Sequence, residues 1–499
     1  MISDTKVFIV AIAFRTLTAF LIQTWFVPDE IFQSIEVAYK IVYHQGHLSW
    51  EWHEENSLRS AIHPSCLALI YWVFKWLGLD SNWIIAYAPR IVHTIIFAIG
   101  DVFLLKLARR VLNSHEKSIY MTMFIHFTNW FTLYCAPRTL SNSLETALTL
   151  IGLNWYPLEG VHPQGRPVWP YLLIASVTVL IRPTAVLIWA PLVLLHLWKL
   201  LERWKEFRFE WFLKNMVFPC LISLFIGIII DSKFYGKFTI TIWNFALFNV
   251  FKGGSAHFGT HPWHWYFTQG WLPLLTMSSF PTIMGLYKTF PGVKKPTKLF
   301  FYLSAFYIGF HSLLAHKEHR FLLPLLPLLS IYTGHYLGRS HSYEKFWKYS
   351  ILLVNFALAI YFCLVHQKGP YSAHSAIFED LEMEFVKNKS FGHKVEIFQL
   401  MPCYSMPLYA HFYPHKVTIQ MLDCSPNLSG IPNYIDESNI FHENPFLWTE
   451  TNFNLTWFDS EGEALGVRKL TEEEALGSLH THLFFPPSAT AFGSLLYKK

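Results

Sequence analysis

Long apolar runs separated by short polar segments dominate the first 366 residues of the chain. The first run extends from Val7 to Val27, and a helix of about 20 apolar residues is long enough to cross a bilayer. Acidic and aromatic residues follow this run directly, without the small-residue cleavage site of a signal peptide, so we expect it to remain as an anchor. Further runs predict membrane spans at about residues 84–107, 118–136, 139–157, 168–182, 184–199, 212–230, 271–288, 299–315, 321–339 and 349–365.

The apolar stretch from Ala61 to Leu79 decides the orientation of these spans. Basic residues near span ends usually lie on the cytosolic side of a membrane. With a cytosolic N-terminus, the basic groups within 106–110, 199–208, 288–298 and 339–348 all fall on that side only if Ala61 to Leu79 does not cross. We therefore predict a re-entrant or interfacial helix there, eleven spans in total, and a lumenal C-terminus.

The region from about 367 to 499 has a different pattern, in which charged stretches alternate with short strand-like runs. Lys394 to Gln399 and Lys416 to Leu422 predict strands, so we expect a small α/β domain. The Asn-x-Ser/Thr triplets of the chain all lie in this region and support its lumenal location; they begin at Asn388, Asn427 and Asn454.

Two of the six cysteines, Cys403 and Cys424, lie in this polar region, whereas the other four lie in apolar stretches. A disulfide between them would close a loop of about 20 residues and stabilise the domain by roughly 3 kcal/mol. We predict this bridge for a domain that faces the lumen.

The composition supports a membrane protein. Hydrophobic residues make up 53% of the chain and charged residues 15%, against about 25% charged residues in ordinary soluble domains. The formal charge of +5 comes from short basic clusters between apolar runs, which indicates cytosolic loops and no nucleic-acid partner. The predicted fold class is a polytopic α-helical membrane protein with about eleven spans. Its parts are a membrane module over 1–366, with lumenal loops 28–83 and 231–270, and a lumenal α/β domain over 367–499.

Four polar clusters meet at the lumenal surface under this topology, and the first directly follows the first span. Pro28 and the carboxylates of Asp29 and Glu30 suit the first turn of a new helix, where the helix dipole favours negative charge. Asp29, Gln33 and Glu36 recur at helical spacing and would share one face, which makes Asp29 a candidate general base. The alternative is that the acidic pair only begins a helix lying on the membrane.

The second cluster contains His316, Lys317, His319 and Arg320. Arginine offers a planar fork of donors and lysine a point charge, so the cluster is a candidate clamp for a donor phosphate. A basic anchor at the level of the lipid headgroups is the alternative. Basic residues are unusual on the lumenal side, however, and their presence fits the binding of an anionic headgroup.

The third cluster lies in the loop 231–270 and offers contacts for a sugar. Its glycines give mobility, and the rings of His261, Trp263, His264 and Trp265 offer faces for sugar rings and donors for hydroxyl groups. An interfacial aromatic belt would look similar.

Arg138 and Arg182 form the fourth cluster, either as substrate contacts or as side chains that extend to the interface.

The sequence contains no Gly-rich nucleotide loop, Walker sequence, Ser or Cys triad motif, or zinc-spaced His/Cys cluster. The absence of these motifs disfavours ATP-driven transport, acyl transfer and zinc chemistry. We assign no metal site and no cofactor, and leave metal dependence open.

Four segments carry a resemblance to a known family: Phe26-Val27-Pro28-Asp29-Glu30, His261-Pro262-Trp263-His264-Trp265-Tyr266, His316-Lys317-Glu318-His319-Arg320-Phe321 and Met401-Pro402-Cys403-Tyr404-Ser405. From about residue 20 to about 430, the chain resembles the dolichol-phosphate-mannose-dependent mannosyltransferases of the GT-C superfamily, glycosyltransferase family 22. The His-Lys-Glu-x-Arg-Phe signature is specific to this family, whereas Pro-Asp-Glu alone is not. Val27 in place of the usual His, and His319 in place of the frequent Glu, favour the branch that builds GPI anchors.

The resemblance implies an inverting transfer of the third mannose, in α1,2 linkage, from dolichol phosphate mannose to a GPI precursor glycolipid at the lumenal face of the endoplasmic reticulum. Asp29 would take the acceptor proton, and Glu30 would share this role or position the acceptor. Arg320, Lys317 and His319 would stabilise the leaving phosphate. The expected partners are both lipid-linked substrates and the membrane. An α1,2-mannosyltransferase of N-glycan assembly is a second interpretation, and a transporter is a third that no internal repeat supports.

Overall fold

The computed structural model describes residues 3–158, 162–165, 167–289, 295–340, 343–387, 395–428, 431–452 and 494–498 of the chain. The chain divides into two compact units, Met1–Gln367 and Lys368–Lys499. This division lies one residue from the predicted boundary, because the apolar spans end there and the polar region begins.

Helices form the first unit. They are α1 Asp4–Leu21, α2 Glu36–Tyr43, α3 Ile62–Trp76, α4 Asn82–Val111, α5 Glu116–Thr128, α6 Trp130–Cys135, α7 Ser141–Trp155, α8 Trp169–Ile181, α9 Val186–Glu202, α10 Phe209–Phe212, α11 Phe218–Tyr235, α12 Thr241–Ala246, α13 Leu272–Leu275, α14 Ser279–Thr289, α15 Lys295–Leu313, α16 Leu326–Arg339 and α17 Glu344–Leu364. Short 3-10 and π-helical segments connect several of these helices; those used below are Ile31–Ile35, Leu247–Phe251, Gly254–Phe258, Tyr266–Gly270 and His319–Leu325.

Every predicted span coincides with one helix or with consecutive helical pieces separated by a local break. By length and composition, five helical stretches of the described residues can cross a membrane: Asn82–Val111, Pro183–Glu202, Phe209–Tyr235, His319–Arg339 and Glu344–Met383. Other predicted spans are shorter or interrupted. Asn129, for example, is extended between α5 and α6, and its Oδ1 accepts a hydrogen bond from the Thr132 amide at 2.8 Å. The count of eleven crossings stays a prediction.

The stretch predicted to lie at the interface forms α3, which has 15 residues. At about 1.5 Å per residue this helix is shorter than the hydrocarbon core of a bilayer, which is ~30 Å thick. Leu69, Trp72 and Trp76 are each more than half exposed on α3. The exposed apolar side chains are suited to contact with lipid, and the interfacial position of α3 stays a prediction.

Close contact between α5 and α16 fixes part of the bundle. A Cβ added at Gly338 would lie 2.5 Å from the Ser118 Cα, and one at Gly334 would lie 2.5 Å from the Thr122 backbone nitrogen. Glycine permits this approach, and small residues spaced by four are a common way for membrane helices to pack. Because α16 directly follows His319–Leu325, the contact also fixes the position of that segment.

A buried ionic cluster joins α1, α4 and α5. The Arg15 guanidinium donates to both oxygens of Asp101, at 2.6 and 2.9 Å, and His126 Nε2 lies 2.7 Å from Asp101 Oδ1. All three side chains are at most 1% exposed. Buried charge is costly unless it is paired, so the cluster makes the three helices depend on one another.

The second unit contains α18 Gly369–Lys387, α19 Glu437–Glu443, α20 Pro445–Asn452 and the strands β1 Val395–Leu400, β2 Val417–Met421 and β3 Ser494–Lys498. The strand order is β2-β1-β3. β1 and β2 are parallel, with Ile397 opposite Ile419, and β3 is antiparallel to β1. Both predicted strands are confirmed to within one residue. The predicted Cys403–Cys424 disulfide is present, with its Cα atoms 6.2 Å apart.

One of the glycosylation candidates lies within the described residues. The Asn427 carboxamide donates to the Ile431 carbonyl at 2.7 Å and accepts from the Ile431 amide at 2.9 Å, so it stabilises a surface turn. Asn388 and Asn454 lie outside the described residues.

The stretch 231–270, predicted to be a mobile loop, contains several helical segments. They are the end of α11, α12, Leu247–Phe251, Gly254–Phe258 and Tyr266–Gly270. Gly236 (φ 71°) ends α11 and Gly253 (φ 67°) precedes Gly254–Phe258, both in conformations that glycine adopts without strain. The apolar run 241–251, which is too short to predict a span, forms a helix here, and the lumenal position of the stretch stays a prediction.

Candidate active site

Backbone hydrogen bonds hold the segment before Asp29 against the end of α17. After α1 ends, the backbone amides of Gln23 and Trp25 donate to the carbonyls of Cys363 and Gln367, both at 2.9 Å. These two bonds satisfy backbone groups that have no partner in a helix or sheet. They also fix where the next helical turn, which begins at Asp29, enters the site.

Asp29 has one carboxylate oxygen bound and one open. Its Oδ2 accepts a hydrogen bond from Arg320 Nη1 at 2.5 Å. The side chain is 20% exposed, and within the described part of the chain no donor is hydrogen-bonded to Oδ1. A carboxylate fixed at one oxygen, with the other able to accept a proton, suits a general base.

Arg320 lies between two carboxylates. Its Nε and Nη2 donate to the two oxygens of Glu318, each at 2.6 Å, while its Nη1 donates to Asp29. His316 Nε2 lies 2.9 Å from Glu318 Oε1. Burial raises the pKa of Glu318, but the neighbouring Arg320 and His316 hold that pKa well below its ordinary value. Glu318 therefore stays ionised and orients Arg320 toward Asp29.

The Glu30 carboxylate is buried between two arginines. Arg90 Nη2 donates to its Oε1 at 3.1 Å, Arg138 Nη1 donates to its Oε2, and Glu30 is 2% exposed. Arg138 is fully buried and also donates to the Thr24 carbonyl at 2.9 Å. In this geometry Arg138 reaches neither the interface nor the open side of the site, contrary to both predicted roles. Of the two adjacent carboxylates, Asp29 is therefore the better base.

Arg182 is also paired inside the protein. Its Nε lies 2.9 Å from Glu145 Oε2, and its guanidinium lies 5.1 Å from the centre of the Phe321 ring. The Arg320 guanidinium approaches the same ring at 5.6 Å. Arg182 thus supports the residue that follows Arg320. Glu145 is not among the candidates predicted from the sequence, although a single carboxylate inside the predicted span 139–157 is a signal of a paired or functional residue.

The segment 261–266 docks on the His316–Arg320 cluster. Lys317 Nζ donates to the carbonyls of His261, at 2.9 Å, and Leu314. The Tyr266 hydroxyl donates to the Glu318 carbonyl at 3.2 Å. Lys317 is buried, and burial lowers its pKa. Its ammonium group therefore joins the two segments instead of facing solvent.

The aromatic side chains of this segment divide into a buried and an exposed set. The Trp265 ring is buried, stacks on His261 at 5.0 Å between centres and contacts His319 edge-on at 4.8 Å. Trp263 and His264 are exposed. The exposed pair is available to a sugar, whereas Trp265 orients the two imidazole rings.

Glu36 does not share a face with Asp29 and Gln33. Ile31–Ile35 forms a π-helical turn, whose hydrogen bonds run from i to i+5 and rotate the residues that follow. Gln33 donates to Glu51 Oε2 at 3.1 Å, whereas Glu36 is fully buried. The expected common face was wrong because it assumed 3.6 residues per turn.

Glu51 and Arg59 also belong to this end of the bundle, although neither was predicted. Arg59 Nη2 and Nε donate to Glu51 Oε1 at 2.6 and 3.1 Å, so Glu51 connects Arg59 with Gln33. Both residues lie between α2 and α3, where no periodic pattern directs attention to them. The local signal is an acidic residue between two aromatic residues, Trp50-Glu51-Trp52.

Among the described residues, no group of three or more His, Cys, Asp or Glu side chains is arranged to hold a metal ion.

A family model described as the Alg9-like mannosyltransferase family matches residues 6–413. The chain belongs to this family.

Curated relatives match this mannosyltransferase over most of its length. GPI alpha-1,2-mannosyltransferase 3 of Bos taurus is 32% identical over 501 residues, which cover 98% of this chain and 88% of the relative. The Homo sapiens protein of that name is 34% identical over 448 residues, which cover 89% of this chain and 76% of the relative. Mannosyltransferase APTG1 of Arabidopsis thaliana is 33% identical, with 92% of this chain and 85% of the relative covered.

Two solved structures share the fold of this mannosyltransferase. ArnT from Cupriavidus metallidurans bound to undecaprenyl phosphate matches with a TM-score of 0.56 and 12% identity, covering 85% of this chain and 86% of that chain. The apo structure of ArnT matches with a TM-score of 0.53, covering 98% and 97%. This likeness confirms the predicted fold class, a helical membrane protein with a small C-terminal sheet.

The geometry of the mannosyltransferase site provides the groups that glycosyl transfer needs. An open carboxylate can take the proton of a sugar hydroxyl, and guanidinium groups fixed beside it can stabilise negative charge on a leaving group. Exposed Trp263 offers an apolar face for a sugar ring. Lipid and glycolipid substrates are consistent with a site at the end of a membrane bundle.

Proposed function

We propose that the protein transfers a mannose in α1,2 linkage from dolichol phosphate mannose to a GPI precursor that already carries two mannoses. The names of the curated relatives support the linkage and the GPI precursor. The observation that carries the proposal at the level of residues is the carboxylate of Asp29, whose Oδ2 is bound by Arg320 while its Oδ1 is open. We place the reaction at the lumenal face of the endoplasmic reticulum.

The proposed reaction is a single displacement. The acceptor hydroxyl oxygen attacks C1 of the mannose, the bond between C1 and the phosphate oxygen breaks, and the hydroxyl proton passes to Asp29 Oδ1. Attack on the side opposite the phosphate converts a β-linked donor into an α-linked product. The leaving phosphate keeps the electron pair of the broken bond, so it needs electrostatic stabilisation more than a general acid.

Arg320 and His319 are the proposed contacts of the leaving phosphate. Arg320 lies next to the base, so its charge is close to the reacting atoms. Lys317 and His316 act within the cluster, through the carbonyls of segment 261–266 and through Glu318. Because guanidinium charge is already in place, we propose that no metal is needed, and we expect chelation with EDTA to leave the activity intact.

Cells that lack the protein test this function. A GPI precursor with two mannoses should accumulate, and re-expression of the protein should restore the three-mannose precursor and the GPI-anchored proteins at the cell surface. Accumulation of a truncated lipid-linked N-glycan, with normal GPI precursors, would instead favour an α1,2-mannosyltransferase of N-glycan assembly.

A further inference from the structure

Five arginines lie at or next to the segments that form the site, and they differ in how many of their donors are already bonded. Arg59 is the exception among them: its side chain is 21% exposed, whereas the other four are between 0 and 7% exposed. The other four, with their carboxylate partners, are Arg90 and Arg138 on Glu30, Arg182 on Glu145, and Arg320 on Asp29 and Glu318.

Three of the five N–H groups of the Arg320 guanidinium are bonded to carboxylates. Nε and Nη2 donate to Glu318, and Nη1 donates to Asp29. Lys317, the other permanent cation of the cluster, donates to two backbone carbonyls. An incoming anion can therefore bond Arg320 only through the two N–H groups that these contacts leave, one on Nη1 and one on Nη2.

Arg59 has a free edge. Its Nε and Nη2 both donate to Glu51 Oε1, and the structure gives no hydrogen bond from Nη1 to any residue that it describes. Glu51 is itself held by Gln33, at 3.1 Å, and the Arg59 guanidinium lies 5.9 Å from the centre of the Phe245 ring. These contacts fix the plane of the guanidinium and leave Nη1 without a bonded partner among the described residues.

Arg59 also lies within electrostatic reach of the base. Burial lowers the pKa of Arg59, but the nearby carboxylates of Glu51 and Asp29 outweigh this effect and raise it above its ordinary value. The positive charge of Arg320 acts in the opposite direction and lowers the pKa of Arg59. Gln33, which holds Glu51, lies four residues after Asp29 on the same helical stretch, so Arg59 and Asp29 lie at the same end of the bundle.

We propose that Arg59, oriented by Glu51, binds a phosphate oxygen of a lipid-linked substrate of this enzyme. A guanidinium with two donors fixed on a carboxylate and a third free to donate is suited to a phosphate, because arginine is always charged and its fork is planar. The proposal rests on the proposed function for its substrates. The phosphate belongs either to the mannosyl donor or to the acceptor glycolipid.

Kinetics in microsomes test the role of Arg59. Arg59→Gln removes a charge-assisted hydrogen bond, so the KM for the substrate whose phosphate it binds should rise roughly 10- to 100-fold. Arg59→Lys keeps the charge but loses the fork, and its KM should lie between those of the wild type and Arg59→Gln. Glu51→Gln should raise the same KM by a smaller factor, because it loosens Arg59 without removing it.

A matched control is Lys237→Gln, because Lys237 is an exposed cation that donates to the Glu54 carbonyl on the same side of the protein. Its kinetic constants should equal those of the wild type. A raised KM for dolichol phosphate mannose, with weaker inhibition by dolichyl phosphate, assigns the phosphate to the donor. A raised KM for the two-mannose precursor, with unchanged inhibition, assigns it to the acceptor.

Two outcomes would overturn the proposal. One is that both KM values and the dolichyl phosphate inhibition stay within about twofold of wild type in Arg59→Gln. The other is that kcat alone falls in both Arg59 variants, because Arg59 would then not contribute to binding of either substrate in the ground state. Failure of the wild-type enzyme to elongate the GPI precursor would contradict the proposed function itself, and is distinguishable because it does not depend on Arg59.

Discussion

Asp29 and Glu30 are adjacent in sequence, yet their surroundings differ. The Asp29 carboxylate has one open oxygen, whereas the Glu30 carboxylate is enclosed between Arg90 and Arg138. Asp29→Asn keeps the shape of the side chain but cannot take a proton. Since a general base contributes about 100- to 10,000-fold to the rate, the variant should reach the membrane in normal amounts and lose that factor in kcat. Transfer assays on microsomes normalised for protein amount measure it, and wild-type turnover would remove the catalytic role from Asp29.

Glu30→Gln provides the contrasting result. It leaves two buried guanidinium groups without a counter-charge, and breaking a buried ion pair costs about 3 to 5 kcal/mol of stability. We therefore expect little folded protein, with turnover per folded molecule much closer to wild type than that of Asp29→Asn. Immunoblots and transfer assays on the same microsomes separate the two effects. A stable but inactive Glu30→Gln enzyme would transfer the role of base to Glu30.

Arg320 bonds to two acceptors through different edges of one planar group. Lysine in its place keeps the charge but cannot hold Glu318 and Asp29 in the same geometry. Arg320→Lys should therefore lower kcat by about 10- to 100-fold, the equivalent of one charge-assisted hydrogen bond. Normal turnover in a well-expressed Arg320→Lys enzyme, measured with saturating donor, would show that Arg320 acts only as a basic anchor.

Among the elements, α5 and α16 offer the sharpest test of packing. A Cβ at Gly338 meets the Ser118 backbone at 2.5 Å, and a backbone atom cannot move aside by rotating a bond. Gly338→Ala should therefore destabilise the bundle by about 1 to 3 kcal/mol, as overpacked cores do. The thermal stability of the detergent-solubilised protein should fall.

Gly309→Ala is the matched control, because Gly309 also lies in a helix but has no atom within 4 Å of an added Cβ. Its stability should equal or exceed that of the wild type, because alanine is a better helix former than glycine. If Gly338→Ala and Gly309→Ala have equal thermal stability, α5 and α16 pack less closely than they do in this structure.

For the whole molecule, function depends on the orientation in the membrane. The Cys403–Cys424 disulfide requires an oxidising compartment, and the basic clusters predict that the C-terminus shares the lumenal side with the site. A C-terminal tag should therefore resist protease in intact microsomes and become sensitive when detergent is added. Cleavage without detergent would place the tail in the cytosol and would indicate that the stretch around α3 crosses the membrane.

The amino-acid sequence alone determined the helical membrane class, the C-terminal strands, the cysteine pair and the motif segments of the site, because apolar run length, alternation and motif spacing are local properties. Only the tertiary structure decided which groups are open and which are paired. The partners are far apart along the chain: 60 residues separate Arg90 from Glu30, and 291 separate Arg320 from Asp29. A single π-helical turn at Ile31–Ile35 also rotates Glu36 into the core, and no helical spacing predicts such a turn. Periodicity therefore locates the elements, whereas the direction and pairing of each charge depend on which elements the fold brings together.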